Sequence, residues 1–171
     1  MENLITAAVG LLGTVIGGVI SWYANVNRGR TQTAWEMHRE WNSEPMNRAR
    51  SKADKLLVKY PGLRLDKLYD TVPSEESDPL WMVENFHQRL WLAIEHNCID
   101  KKLVPRLFGE LFVWFYTVAY ETLLLPVDWP SCKDIQALKE WMDDNADPAD
   151  LKVWTQRAIK DRDGRLTPRP S

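Results

Sequence analysis

Hydrophobic and polar positions divide this 171-residue chain into two unlike parts. From Leu4 to Tyr23, LITAAVGLLGTVIGGVISWY, no side of a helix would carry a charge. Beyond Arg28, apolar residues recur at spacings of three and four with charges between them, the signature of helices that bury one stripe. A helix needs about 20 mainly apolar residues to cross roughly 30 Å of hydrocarbon, so residues 1–24 are expected to form one transmembrane helix. A cleaved signal would need a basic start and a small-x-small cut site. Here the start is Met1-Glu2-Asn3, and a cut after Ala24 would put Trp22 at the third position before the bond. Retention as an anchor is therefore expected.

Small and weakly polar residues line one side of that helix. Ala7, Gly10, Thr14, Gly17 and Ser21 follow at alternating spacings of three and four, and Gly13 and Gly17 add a small-xxx-small pair. In lipid, such residues let helix backbones approach closely, so the stripe is a candidate helix-packing seam. Trp22 and Tyr23 sit where amphipathic rings favour the headgroup level. Arg28 and Arg30 follow the span and no basic residue precedes it. The positive-inside bias then predicts a single-pass protein of the plasma or inner membrane, with its N-terminus outside and the remainder cytoplasmic.

The remainder predicts an all-α domain. Residues 25–43 extend the first helix outward and stop near Asn42-Ser43. Ser43, Glu44 and Pro45 form a cap, an acidic first turn and an early proline. They open a helix to about Tyr60 with Met46, Ala49, Ala53, Leu56, Leu57 and Tyr60 on one face. Pro61-Gly62 ends it, and the loop-like stretch that follows is expected to hold one helical turn around Arg64 to Tyr69. Asp78-Pro79 is expected to open the next helix by the same cap-then-proline logic, running to about His96. Asn97 and Asp100 read as a stop and a new cap before a short helix to Val104 and a long buried one ended by Pro126. Helices over about 131–143 and 148–159 complete a bundle of five to six helices spanning 44–160, with 161–171 a frayed tail. Leu111 to Tyr120 is apolar apart from Thr117, but Glu110 and Glu121 bracket it, and about ten residues are too few to cross a bilayer.

Composition adds compartment and surface. Cys98 and Cys132 make no disulfide framework, which suits a reducing compartment. Net charge is only −2, but Arg28 to Arg64 holds nine basic and four acidic side chains, and Asp66 to Glu84 one basic and six acidic. The basic segment adjoins the predicted span, where anionic headgroups attract it. No strongly basic, aromatic-interleaved run points to nucleic acid. Five carboxylates between Glu140 and Asp150, and the basic residues Arg157, Lys160, Arg162, Arg165 and Arg169, are candidate protein-docking surfaces, although most such runs only keep a face solvated.

Several elements carry a resemblance. Glu40-Trp41-Asn42-Ser43, then Arg50, Asn85-Phe86, Ile99-Asp100 and Leu107-Phe108-Gly109 resemble a family of bacterial proteins with one N-terminal span and a helical domain of unknown function, over roughly residues 1–125. The resemblance implies that architecture and no established activity; by analogy it points to membrane effectors or adaptors such as those of phage defence. Read physically, Asn42-Ser43 turns the chain, Trp41 covers the corner, and Gly109 permits close helix approach. Arg50, if buried, would need a carboxylate such as Glu84 or Glu110.

Candidate chemistry is sparse. Glu84 and His87 have the i, i+3 spacing of di-iron bundles, which need that motif twice, and no second copy exists. His87, His96 and Cys98 with Glu95 match no zinc spacing. There is no phosphate loop, nucleophile elbow or H-E-x-x-H. No cofactor and no enzymatic activity are expected, a metal-dependent enzyme being a distant third reading. The expected function is a membrane-anchored interaction module, adaptor or scaffold, with the lipid bilayer and a protein as partners. The alternative is an effector that self-associates through its span and perturbs the membrane.

Overall fold

The computed structural model describes residues 2–123 and 128–166; the side chains of residues 2–15, Thr122, Arg165 and Leu166 lie outside that description. Among the described residues every regular element is helical. The helices are α1 (Glu2–Trp41), α2 (Glu44–Lys59), α3 (Leu65–Thr71), α4 (Ser74–Glu95), α5 (Val104–Phe115, continuing to Leu123), α6 (Pro130–Asn145) and α7 (Pro148–Leu166).

α4 is the centre of the bundle, packed between α2 and α6, while α5 pairs with α7 and the end of α1 lies on α2 and α5. This follows from its sequence: Leu80, Val83, Phe86, Leu90 and Ile94, three or four apart, are all buried, so one face meets α2 and its flanks meet the other helices. On α2, Met46, Ala49, Ala53, Leu56 and Leu57 form the opposing stripe. Ile135, Leu138 and Met142 complete the layer from α6.

The corner after α1 is built locally. Asn42 donates to the His38 carbonyl at 2.8 Å, and the Ser43 hydroxyl accepts the Met46 N–H at 3.4 Å, capping α2. Gly62, in the left-handed region at φ 73°, makes the next turn. Asn97, also left-handed at φ 57°, stops α4. The Asp147 carboxylate accepts the Ala149 N–H at 2.8 Å and begins α7.

Four expectations need correction or qualification. α4 begins at Ser74, not at Asp78-Pro79: Glu75 and Glu76 occupy its first turn, where the helix dipole favours them. Pro79 sits one turn further in, where the lost N–H is offset by burial of Pro79 and Leu80. Lys101 to Leu103 is a turn, not a short helix, and Pro126 lies outside the described residues. α7 continues through Asp161 to Leu166, in place of the frayed tail that the sequence suggests, because Trp114 Nε1 donates to Asp161 at 2.9 Å and Arg162 reaches Glu121 at 3.4 Å. Finally, among the described residues no helix is long and apolar enough to cross a membrane, and within Leu4 to Tyr23 the side chains of residues 4–15 lie outside the description.

Candidate functional site

α1 is one unbroken helix with two environments. Residues 16–25 are all exposed, among them Ile16, Val19, Ile20, Trp22 (67%) and Tyr23. From Val26 the helix begins to pack, and Ala34, Met37 and Trp41 are buried at spacings of three and four. Gly17 and Ser21 of the small-residue stripe lie on the exposed part, and a Cβ at Gly17 would meet nothing within 4 Å. The side chains of Ala7, Thr14 and the positions of Gly10 and Gly13 fall outside the described burial. Arg28 is exposed, whereas Arg30 Nε donates to the Asn97 carbonyl at 2.9 Å and ties α1 to the end of α4.

The family-like elements gather where α1 meets α4. Trp41 is 1% exposed, its ring 4.5 Å from Phe86 and 5.0 Å from His87. Glu40 pairs with Arg89, and Arg50 stacks on Trp41 at 4.6 Å while donating to Asn47. The carboxylate partner expected for Arg50 is not Glu110, which holds Arg157 at 2.7 Å, and no hydrogen bond joins it to Glu84. A ring face and an amide carry it instead because its guanidinium emerges beside Trp41 at a half-buried position; burial holds its pKa below the usual value. Asn85 is half-buried on α4, and Asp100 accepts from Thr31 at 3.2 Å. Phe108 is buried, half-buried Leu107 precedes it, and at Gly109 the Trp154 ring lies so close that an added Cβ would sit 2.4 Å from it.

Beneath Trp41 is a buried polar cluster. His87 Nδ1 meets the Tyr120 hydroxyl at 2.6 Å, and one turn earlier on α4 Glu84 faces Tyr69, whose hydroxyl is 3.5 Å away. Burial pushes the Glu84 carboxyl up to about 8, against an opposing pull from the Tyr69 hydroxyl. It holds the His87 imidazole down at about 3, with the Arg50 charge adding to that effect. Both groups are therefore neutral near pH 7. Glu84 Oε1, Arg50 Nη1 and Trp41 Nε1 are buried without hydrogen-bond partners among the described residues.

Tyr120 reaches His87 because α5 passes through a π-helical turn, Tyr116–Tyr120. The extra residue per turn shifts the helix face, so that Phe112, Val113, Phe115, Tyr116, Thr117, Ala119 and Tyr120 are all buried. This explains the nearly continuous apolar run. Sequence reading missed Tyr69 and Tyr120, since nothing local marks a π turn or a tyrosine pointing at a distant side chain.

Chemically the cluster is two neutral hydrogen-bonded pairs, His87 with Tyr120 and Glu84 with Tyr69, with Glu84 Oε1 left without a partner among the described residues. His87 lies in the core, whereas His96 and Cys98 are exposed on the turn after α4, so the three do not converge. Among the described residues no group of three or more His, Cys, Asp or Glu side chains is placed to hold a metal. Part of each charged stretch is used internally, while Lys160, Asp144 and Asp150 are exposed and the side chains of Arg165 and Arg169 lie outside the description. Arg157 and Arg162 tie α7 to Glu110 and Glu121, Lys139 holds Asp143, and Asp147 caps a helix. Comparison with protein-family models, with curated proteins and with solved structures finds no match to this chain.

Proposed function

We propose that the chain is a membrane-anchored helical interaction module: the N-terminal half of α1 sits in a bilayer and holds the α2–α7 bundle at its cytoplasmic face, where it serves as an adaptor or scaffold for a protein partner. One observation carries this reading. The helix leaves the bundle as a continuous rod whose residues 16–25 are all exposed and display Ile16, Val19, Ile20, Trp22 and Tyr23. Large apolar side chains exposed together on one segment mark a surface made for another apolar phase. The uncharged run Leu4 to Tyr23 has the length of a span, and Arg28 and Arg30 follow it on the side expected to be cytoplasmic.

Extraction of membranes from expressing cells with alkaline carbonate tests the anchor. The full chain is expected to stay in the pellet, and its release into the supernatant would end this reading. Sidedness is read at Cys98, which is exposed while Cys132 is buried. An impermeant maleimide should label it in inside-out vesicles and not in intact cells.

The openness of Gly17 favours a second reading, in which the span self-associates and the bundle controls a membrane-perturbing assembly, as in defence against phage. Gly13→Leu with Gly17→Leu separates the two. Activity of an assembly through that face should be lost, while an adaptor retains its function.

A further inference from the structure

The directions of the helices fix which end of the bundle lies toward the free half of α1. Trp41 meets Phe86 and His87, Glu40 meets Arg89, and Arg30 meets Asn97 and Asp100, so α4 runs back along α1. α5 then runs out again, with Phe108 beside His38 and Phe115 beside Trp41. The turn between α4 and α5 is therefore the end nearest the exposed apolar segment. It is pinned there by the Asp100 N–H on the Arg30 carbonyl at 3.1 Å, by Arg30 on the Asn97 carbonyl, and by Thr31 on the Asp100 carboxylate. Arg30 is seven residues beyond Tyr23, about 10 Å along a helix. That is close to the outer edge of a headgroup layer.

This turn projects Lys101 and Lys102, with Arg106 in the first turn of α5 and Arg28 on α1, all four exposed. None of these four enters an ion pair among the described residues, unlike Arg48, Lys59, Arg89, Lys133, Arg157 and Arg162. Asp100, beside Lys101 in the chain, accepts from Thr31 and from the Lys102 N–H at 3.1 Å, and Glu95 lies 3.8 Å from His96. Asp144, Asp147 and Asp150 belong to the corner between α6 and α7, whose helices pack on α4 and α5.

Resting on the anchor reading above, we infer that the α4–α5 turn is a second membrane contact: Lys101, Lys102 and Arg106, with Arg28, dock on anionic phospholipid headgroups and hold the bundle down beside its own span. Basic side chains within a Debye length of an anionic surface are attracted to it. The same surface repels the exposed Asp144 and Asp150, so the contact is confined to the α4–α5 side of this end.

The test uses the full chain reconstituted in vesicles, with an environment-sensitive fluorophore on Cys98, the exposed cysteine in this same turn. A headgroup-labelled quencher lipid is included. Quenching should be strong in phosphatidylglycerol–phosphatidylcholine vesicles, weak in phosphatidylcholine alone, and reduced by salt. Lys101→Glu, Lys102→Glu and Arg106→Glu together should abolish the preference, at about fivefold for each basic side chain removed. Quenching that is equal in the two lipids, or indifferent to the triple substitution, overturns the docking. Carbonate-resistant incorporation, measured on the same vesicles, keeps the outcomes apart: a retained chain without lipid-dependent quenching defeats the docking alone, and an extracted chain defeats both readings. If the triple substitution instead removes binding of an acidic protein and leaves quenching unchanged, the turn is a protein-docking surface and the lipid assignment is wrong.

Discussion

The two halves of α1 share one backbone helix and differ in everything their side chains meet. In the second half, Ala34, Met37 and Trp41 face inward while Trp35, Glu36 and Arg39 face out, a stripe cut for one neighbour and water. In the exposed part of the first half, Ile16, Val19, Ile20, Trp22 and Tyr23 fill one broad side, Gly17, Gly18 and Ser21 lie on the other, and no residue from 16 to 25 is charged. A charged face is what a helix needs when one side is wet; a helix surrounded by one apolar phase needs none. The contrast teaches that what stands between the apolar residues says more about a helix's surroundings than how many apolar residues it has.

The comparison breaks first at Trp41, where the packed half enters the core. Trp41→Ala removes contacts to Phe86, His87 and Arg50 and should destabilise the bundle by about 3–5 kcal/mol, seen as a lower urea midpoint, while carbonate resistance of the chain is unchanged. Loss of both together would show that the two halves are not independent. A smaller effect is expected at Gly109. An alanine methyl would overlap the Trp154 ring, costing about 1–3 kcal/mol and loosening α7 from α5; unchanged thermal unfolding would mean that Trp154 moves aside freely.

The buried cluster gives a pH signature. Glu84 is raised from 4.5 to about 8 in the fold, so its contribution is complete below pH 4.5 and declines as pH rises through about 8. His87 is lowered from 6.5 to about 3, so its contribution is complete above pH 6.5 and is lost as pH falls through about 3. The slopes oppose between pH 4.5 and 6.5, and above 6.5 only the decline from Glu84 remains. Glu84→Gln keeps the neutral shape and should flatten stability between pH 6.5 and 8. A variant that declines as steeply as the original chain would place the charge elsewhere.

The smallest effect on folding sharpens the other side of the contrast. Gly17→Leu meets open space and should leave the unfolding free energy from urea titration within about 0.5 kcal/mol, while any crosslinking through that face falls. A destabilised bundle would reveal contacts that the exposed segment does not display.

Much of the architecture was legible because it is local. Ser43 caps α2, Asn97 stops α4, and the three–four spacing on α2 and α4 selects the buried residues. The start of α4 was harder to read because Asp78-Pro79 imitates a helix entry, whereas the acidic turn at Glu75-Glu76 makes the earlier one. Of the polar cluster only Glu84 and His87 were visible as a spaced pair. Their partners Tyr69 and Tyr120 come from α3 and from the π turn of α5, and no spacing along the chain encodes a contact across 15 or 33 positions.

The continuity of α1 also sets a rotational phase. At 3.6 residues per turn, the direction of Gly17 and Ser21 lies about 150° around the axis from that of Ala34, Met37 and Trp41. The open glycine face and the face that carries the bundle thus look almost opposite ways. Two copies lying back to back along Gly17 would hold their bundles on the outer flanks, clear of each other.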